Sequence, residues 1–275
     1  MAKTSLTEKG KTFIRNACNG TGNSLLVGNN GPLPYSNPII NKSWISNPNI
    51  NGNIKTNQQL GEALINWFNE FGGLYQLDPN IIAAQAYQES AYKVWNYVSI
   101  NNNPVSTAGG ISQFIMGTVY DQIFNVNKNF FSQSEKDALT IGFLTNPNLP
   151  SSFDTSIDGQ KNRQFLQQNI CDNPKIMIKA QFVYMKYISD NFTKGTASST
   201  LFGYSRGQSL CTPSYSTSIQ NASKHKAGSE LEGVNYVLSI FKFLYNNFGY
   251  DDLGMKLPFD TWKAQTAETN LRTLK

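Results

Sequence analysis

The chain has 275 residues and a formal net charge of +5, from 23 basic and 18 acidic side chains with a single His. Hydrophobic residues make up 39% and charged residues 15%, which excludes a disordered polyelectrolyte and supplies enough apolar matter for a good core. The mild positive balance suits attraction to an anionic polymer such as a cell wall, while the lack of a dense Lys/Arg stripe with interleaved aromatics argues against nucleic acid.

In chain order, the N-terminal stretch from Met1 to Lys11 has neither an apolar run nor a small-residue cleavage site, so it does not read as a secretory signal. Residues 4–17 fit an amphipathic helix with Leu6, Phe13 and Ile14 on a common side. Residues 18–55 are rich in Asn, Gly, Pro and Ser and lack periodicity, the pattern of an extended, turn-rich segment. Its Ile39, Ile40, Trp44 and Ile45 need burial, so wrapping around the following domain is expected, and a docking arm for a larger assembly is the sharper alternative. A helix from about Thr56 to Leu74 follows, with Leu60, Leu64, Trp67, Phe68 and Phe71 on its inner side.

The most informative stretch runs from Asp78 to Ser90. Asp78 can cap free backbone N–H groups, and Pro79 fits the first helical position, where its missing N–H costs nothing. Ile82, Ala86 and Glu89 then fall on one face. A carboxylate on a small, apolar face is expected to keep its proton, which is the state a general acid needs. After Ser90 comes a loop with Trp95, Tyr97 and Asn101-Asn102-Asn103. Its rings can stack on pyranose faces, and its amides can read sugar hydroxyls and acetamides. The run Ser106-Thr107-Ala108-Gly109-Gly110-Ile111-Ser112-Gln113 brings two glycines that allow close approach of backbone or positive φ, and an amide for a cleft. A helix is expected over residues 111–126, carrying Phe114, Ile115, Val119, Ile123 and Phe124.

A shorter helix near 133–143 and turns at Asn146-Pro147 and Leu149-Pro150 come next. Asn173-Pro174 opens a helix to about Asp190 with Ile176, Ile178, Ala180, Phe182, Val183 and Met185 inward. The segment Leu201-Phe202-Gly203-Tyr204-Ser205-Arg206-Gly207 precedes a strongly apolar helix from Glu230 to Phe248, and a tail runs from Asp251 to Lys275. No stretch is long and apolar enough to span a bilayer. Cys18, Cys171 and Cys211 are too scattered for a disulfide framework, leaving at most one pair. No Cys/His cluster has metal-ligand spacing, so no metal or cofactor is expected. The one His, His225 in Ser-Lys-His-Lys, has no nucleophile motif beside it, against a Ser-His-Asp or Cys-His mechanism.

A helix ending in Glu89-Ser90, then a loop, then the turn Gly110-Ile111-Ser112-Gln113 with Thr118 five residues after the Gln, resembles the catalytic core of lysozyme-like lytic transglycosylases, which goose-type lysozymes share. Ser112 stands where the family usually has Met, and Met116 where it has Pro. The Tyr204 segment resembles the family's third landmark, a helical Tyr-Asn-x-Gly, with Ser205 in place of Asn. The resemblance covers roughly residues 56–210 and implies a mainly α, lysozyme-like domain over residues 56–250. Residues 1–55 are then an irregular N-terminal extension, and residues 251–275 a tail packing on the domain. It further implies Glu89 as the catalytic group, with Ser90, Asn101, Ser106, Gly110, Gln113 and Tyr204 as substrate contacts.

Glycosidases usually use two carboxylates. After Glu89 the next acidic residue is Asp121, so the Gly-rich loop supplies no second one. That absence favours, and the resemblance implies, substrate-assisted cleavage of the MurNAc-GlcNAc bond with a 1,6-anhydromuramyl product. The expected partner is peptidoglycan, reached by virion carriage, an injection device or release at lysis, with phage-tail or injection-device components as further partners. A hydrolytic muramidase using Asp121, Asp154 or Asp158, and a non-catalytic tail-assembly protein, are the alternatives.

Overall fold

A computed structural model describes residues 4–20, 47–94, 108–144, 157–193, 197–206 and 229–250. These residues are mainly helical. They comprise α1 (Glu8–Asn19), α2 (Pro48–Asn51), α3 (Asn57–Tyr75), α4 (Pro79–Ser90), β1 (Ala108–Gly109), β2 (Phe114–Ile115), α5 (Met116–Tyr120), α6 (Gln133–Leu139), α7 (Ile157–Asp172), α8 (Pro174–Ile188), α9 (Ala197–Arg206) and α10 (Ser229–Phe248). Two π-helical stretches, Asp121–Val126 and Ser189–Thr193, continue α5 and α8. The expected burial of Ile39, Ile40, Trp44 and Ile45, the loop with Trp95, Tyr97 and Asn101–Asn103, Ser106, the Asn-Pro and Leu-Pro turns, His225, Cys211 and the tail after Tyr250 lie outside the described residues. Among the described residues no helix is long and apolar enough to cross a membrane.

The chain divides into two units, residues 1–13, 68–88 and 182–275 in the first and residues 14–67 and 89–181 in the second. The first unit has an aromatic core. Phe182 sits 6.4 Å from Phe68, 6.1 Å from Phe71 and 6.4 Å from Tyr75, ring centre to ring centre. A second cluster joins Phe13, Tyr87 and Phe243, all within 4.9 Å. Helix α9 packs on α10, and a Cβ at Gly233 would collide with the Phe202 ring, so this crossing requires glycine. The start of α4 is fixed by polar bonds: the Asp78 carboxylate accepts from Asn80 N (2.9 Å) and Asn80 Nδ2 (3.0 Å) and from the Tyr250 hydroxyl. The sequence expectation of an Asp78 cap with Pro79 at the first helical position therefore holds.

In the second unit, β1 and β2 form a two-rung antiparallel hairpin, Ala108 opposite Ile115 and Gly109 opposite Phe114. It lies on α7, where Gln167 Nε2 donates to the Ala108 carbonyl at 3.3 Å. A Cβ at Gly109 would come within 3.2 Å of Ile170 Cδ1, so the close approach expected of this glycine is made to α7. Helix α6 starts in a capping box, Ser132 with Glu135. Glu135 also pairs with Lys179 at 2.8 Å, and that ammonium lies 5.2 Å from the Phe131 ring centre. Asn169 Nδ2 donates to the carbonyls of Leu139 and Ile141, each at 2.9 Å, closing the chain after α6.

Four expectations need correction. The first helix starts at Glu8, because Leu6 N is taken by Asn69 Oδ1 at 2.8 Å and Thr7 N by Asn80 Oδ1 at 2.8 Å. The helix expected over 111–126 begins only at Met116. Gly110 (φ 71°) and Gln113 (φ 48°) are left-handed and turn the chain into the hairpin, leaving Ile115 exposed. The helix expected to 143 stops at Leu139. Helix α7 occupies part of the region between residue 143 and Asn173, where the sequence shows only turns and no helical period.

Candidate active site

The sequence places Ile82, Ala86 and Glu89 on one face of a short apolar helix. The structure differs: Ile81 to Ala86 are buried on every side, Gln85 included, and the helix emerges only in its last turn. A segment rich in alanine and isoleucine can be enclosed all round, and such a helix has no single inward stripe. There Tyr87 is half-buried, Gln88 exposed and Glu89 half-buried. Glu89 is thus half-buried, in the turn where α4 leaves the core.

Ser90 closes the helix, and its side chain is buried. Its Oγ donates to the Ile111 carbonyl at 2.7 Å, a bond between residues 21 positions apart. That bond fastens the end of α4 to the Gly110–Gln113 turn. Ser90 was expected among the substrate contacts; its hydroxyl is instead turned into the protein. The chain then reverses through Ala91 (φ 52°) and Tyr92 (φ 60°), two successive left-handed residues that are not glycine. Each costs about 1–2 kcal/mol relative to a right-handed conformation. Tyr92, 2% exposed, and Val94, 1% exposed, hold the reversal by burying their side chains.

In the turn itself Gly110 occupies the left-handed region that only glycine enters without strain. Gln113 N lies 3.3 Å and Gln113 Nε2 2.8 Å from the Gly110 carbonyl, both donating to it. The Gln113 amide nitrogen therefore braces the turn, and its side chain is half-buried. Ser112 is fully buried, its Oγ 3.1 Å from Gln181 Oε1 and 3.2 Å from the Met177 carbonyl. The Ser112 hydroxyl thus joins the turn to the first half of α8. Thr118 is half-buried in α5.

Glu89, Ser90, Gly110, Gln113 and Thr118 all belong to the second unit. Tyr204 belongs to the first, on helix α9 as expected of a helical landmark, half-buried with its ring 5.6 Å from that of Tyr184. Asn101 and Ser106 lie outside the described residues.

No protein-family model, curated protein or solved structure matches the chain.

The assignment of the site therefore rests on its own residues. Among the described residues no group of three His, Cys, Asp or Glu could hold a metal ion. Cys18 and Cys171 are both buried free thiols. Burial pushes the Cys18 thiol up to about 12. Cys171 is raised further by burial and by the Asp172 charge, against a hydrogen bond from the Gly110 backbone, so neither is a nucleophile at neutral pH. Two features had no reading from sequence. The Ser90–Ile111 bond has no local signature, because a Ser at a helix end has many partners within reach. The left-handed pair Ala91-Tyr92 runs against residue preference and carries no signal at all.

Proposed function

We propose that the chain is a peptidoglycan lytic transglycosylase of lysozyme-like fold, with Glu89 as its single acid/base. The observation that carries the reading is the Ser90 Oγ–Ile111 O bond, 2.7 Å long, which makes one constellation of the two segments that resemble the family's first two motifs. Glu89, half-buried in the last turn of a helix that is otherwise enclosed, is carried on a backbone held by the core and keeps part of its surface in solvent. In the proposed reaction the protonated Glu89 gives its proton to the glycosidic oxygen between N-acetylmuramic acid and N-acetylglucosamine. The acetamido group of the muramic acid stabilises the positive charge at C1. The Glu89 carboxylate then takes the proton of the C6 hydroxyl as that oxygen attacks C1, which gives the 1,6-anhydro ring and restores the acid. No water is consumed and no second carboxylate is needed.

The deciding experiment is mass spectrometry of muropeptides released from purified peptidoglycan. Products one water lighter than hydrolytic ones, without a reducible end, support the proposal; reducible muramic acid ends refute it. The latter result would favour a hydrolytic muramidase, for which Asp121 is the carboxylate to test. It is half-exposed in the same unit and accepts from Asn125 Nδ2 at 3.3 Å.

A further inference from the structure

Helices α2 and α3 flank a groove of about 700 Å³ in the second unit, lined by residues 51–54, 56, 58–59, 62–63 and 66–67. None of its lining residues belongs to the Glu89 motifs. Its floor is apolar, made by Ile54 and Trp67, 4% and 5% exposed. Its rims carry three exposed side-chain amides, Asn53, Gln58 and Asn66, which make no hydrogen bond to any described residue. Each brings two N–H donors and one carbonyl acceptor. The charge on the groove, Glu62, is already neutralised: Arg15 Nε and Nη2 donate to its two carboxylate oxygens at 2.6 and 3.2 Å. That hydrogen bond, more than the guanidinium charge, holds the Glu62 carboxyl below its usual range.

This chemistry selects against other ligands. An anionic ligand finds no Lys or Arg among the residues that line the groove, and the neighbouring Arg15 guanidinium is engaged on Glu62. A cation finds the carboxylate occupied. A purely apolar ligand would strip water from three amides without returning hydrogen bonds. A neutral ligand with alternating hydroxyl and acetamido groups on one edge and C–H groups on its face fits both the rims and the floor. We propose that this groove is a second glycan-binding site, for a β-1,4-linked N-acetylhexosamine chain, holding the polymer by contacts independent of the cleavage chemistry. The choice of polymer rests on the proposed function; the site does not require that Glu89 cleave anything.

The test separates the two. Tetraacetylchitotetraose is titrated calorimetrically into the Glu89→Gln chain, in which turnover does not enter, and into the same chain carrying Asn53→Ala, Gln58→Ala and Asn66→Ala. The three amides are exposed, and unchanged circular dichroism and melting establish that the variant is folded. A second variant, Ala63→Phe, fills the groove from its wall without touching the amides. Affinity is expected to fall roughly tenfold or more in each variant, and cellotetraose, which lacks acetamido groups, is expected to bind the parent more weakly than the chitin oligomer. Equal affinity of parent and variants, equal affinity for the two sugars, or no binding to the parent would each overturn the proposal. Failure of the muropeptide experiment would refute the transglycosylase and leave this result standing.

Discussion

Ser90→Ala tests the link between the acid helix and the turn. The hydroxyl is 5% exposed as a residue, and its acceptor belongs to Ile111, which is 0% exposed, so water does not readily replace the lost donor. A neutral hydrogen bond contributes about 0.5–1.5 kcal/mol net, and leaving a buried acceptor short of its donor costs about 1–3 kcal/mol. At 2.7 Å the Ser90 bond is short and well formed, so a loss of about 1.5–3 kcal/mol is expected. The assay is urea denaturation, read as a lower midpoint at unchanged slope. Ser239→Ala is the control, because among the described residues its hydroxyl reaches only the Tyr236 carbonyl within its own helix, at 2.8 Å, and it should stay within about 0.5 kcal/mol. Wall cleavage should fall together with stability, by roughly tenfold, because the backbone that carries Glu89 is no longer held against the turn. A stability loss under about 0.5 kcal/mol would refute the burial argument. Full stability loss with unchanged turnover would refute the idea that this bond positions the acid.

Other expectations follow from the same structure. Glu89→Gln should lower release of muropeptides by about 10²–10⁴-fold while leaving the melting temperature in place; near-normal release would remove the acid from the mechanism. Gly110→Ala should cost about 1–2 kcal/mol from its left-handed backbone alone, since a Cβ there meets Ile170 only at an ordinary 3.7 Å. A neutral effect in chemical denaturation would show that the turn relaxes. Cys18 and Cys171 should resist a thiol reagent near pH 8 in the native protein and react once it is unfolded. Below its ordinary pKa of 9.0 the Cys18 thiol carries its proton in both states. Above that value the unfolded chain loses a proton that the folded chain keeps, so stability should fall as pH rises from about 9 toward about 12. A urea midpoint that held steady or rose across that window would contradict the assigned burial of the thiols.

Helices α3 and α8 were legible because each combines apolar periodicity with a clear start: Leu60, Leu64 and Phe68 recur at helical spacing in one, and Pro174 opens the other. Helix α7 was not legible because its sequence, Ile157 to Asp172, is polar. Its inward residues include Arg163, Gln167 and Asn169, and the last two donate to carbonyls of Ala108, Leu139 and Ile141, far along the chain. The hairpin was hidden for a different reason. Phe114, Ile115, Val119 and Ile123 fit a helical period, but the backbone at Gly110 and Gln113 sets the direction before that period can act. Within the candidate site, the position of Glu89 at the end of a short helix was readable. The destinations of the two serine hydroxyls were not, since Ser90 and Ser112 look alike in sequence whether they face a cleft or a carbonyl.

Two long-range bonds in the first unit set an order of events during synthesis. Tyr250 reaches Asp78 across 172 positions, and Thr7 Oγ1 donates to the Phe248 carbonyl at 2.7 Å across 241. A ribosome that has made α4 and the hairpin has not yet made either of these partners. The first unit can be completed only after residue 250 has left the exit tunnel, and contacts this distant in sequence form late and slowly. A nascent chain stopped before that point carries Glu89 on a helix whose first turn lacks its Tyr250 bond. Full rigidity of that helix is therefore reserved for a chain synthesised at least through Tyr250.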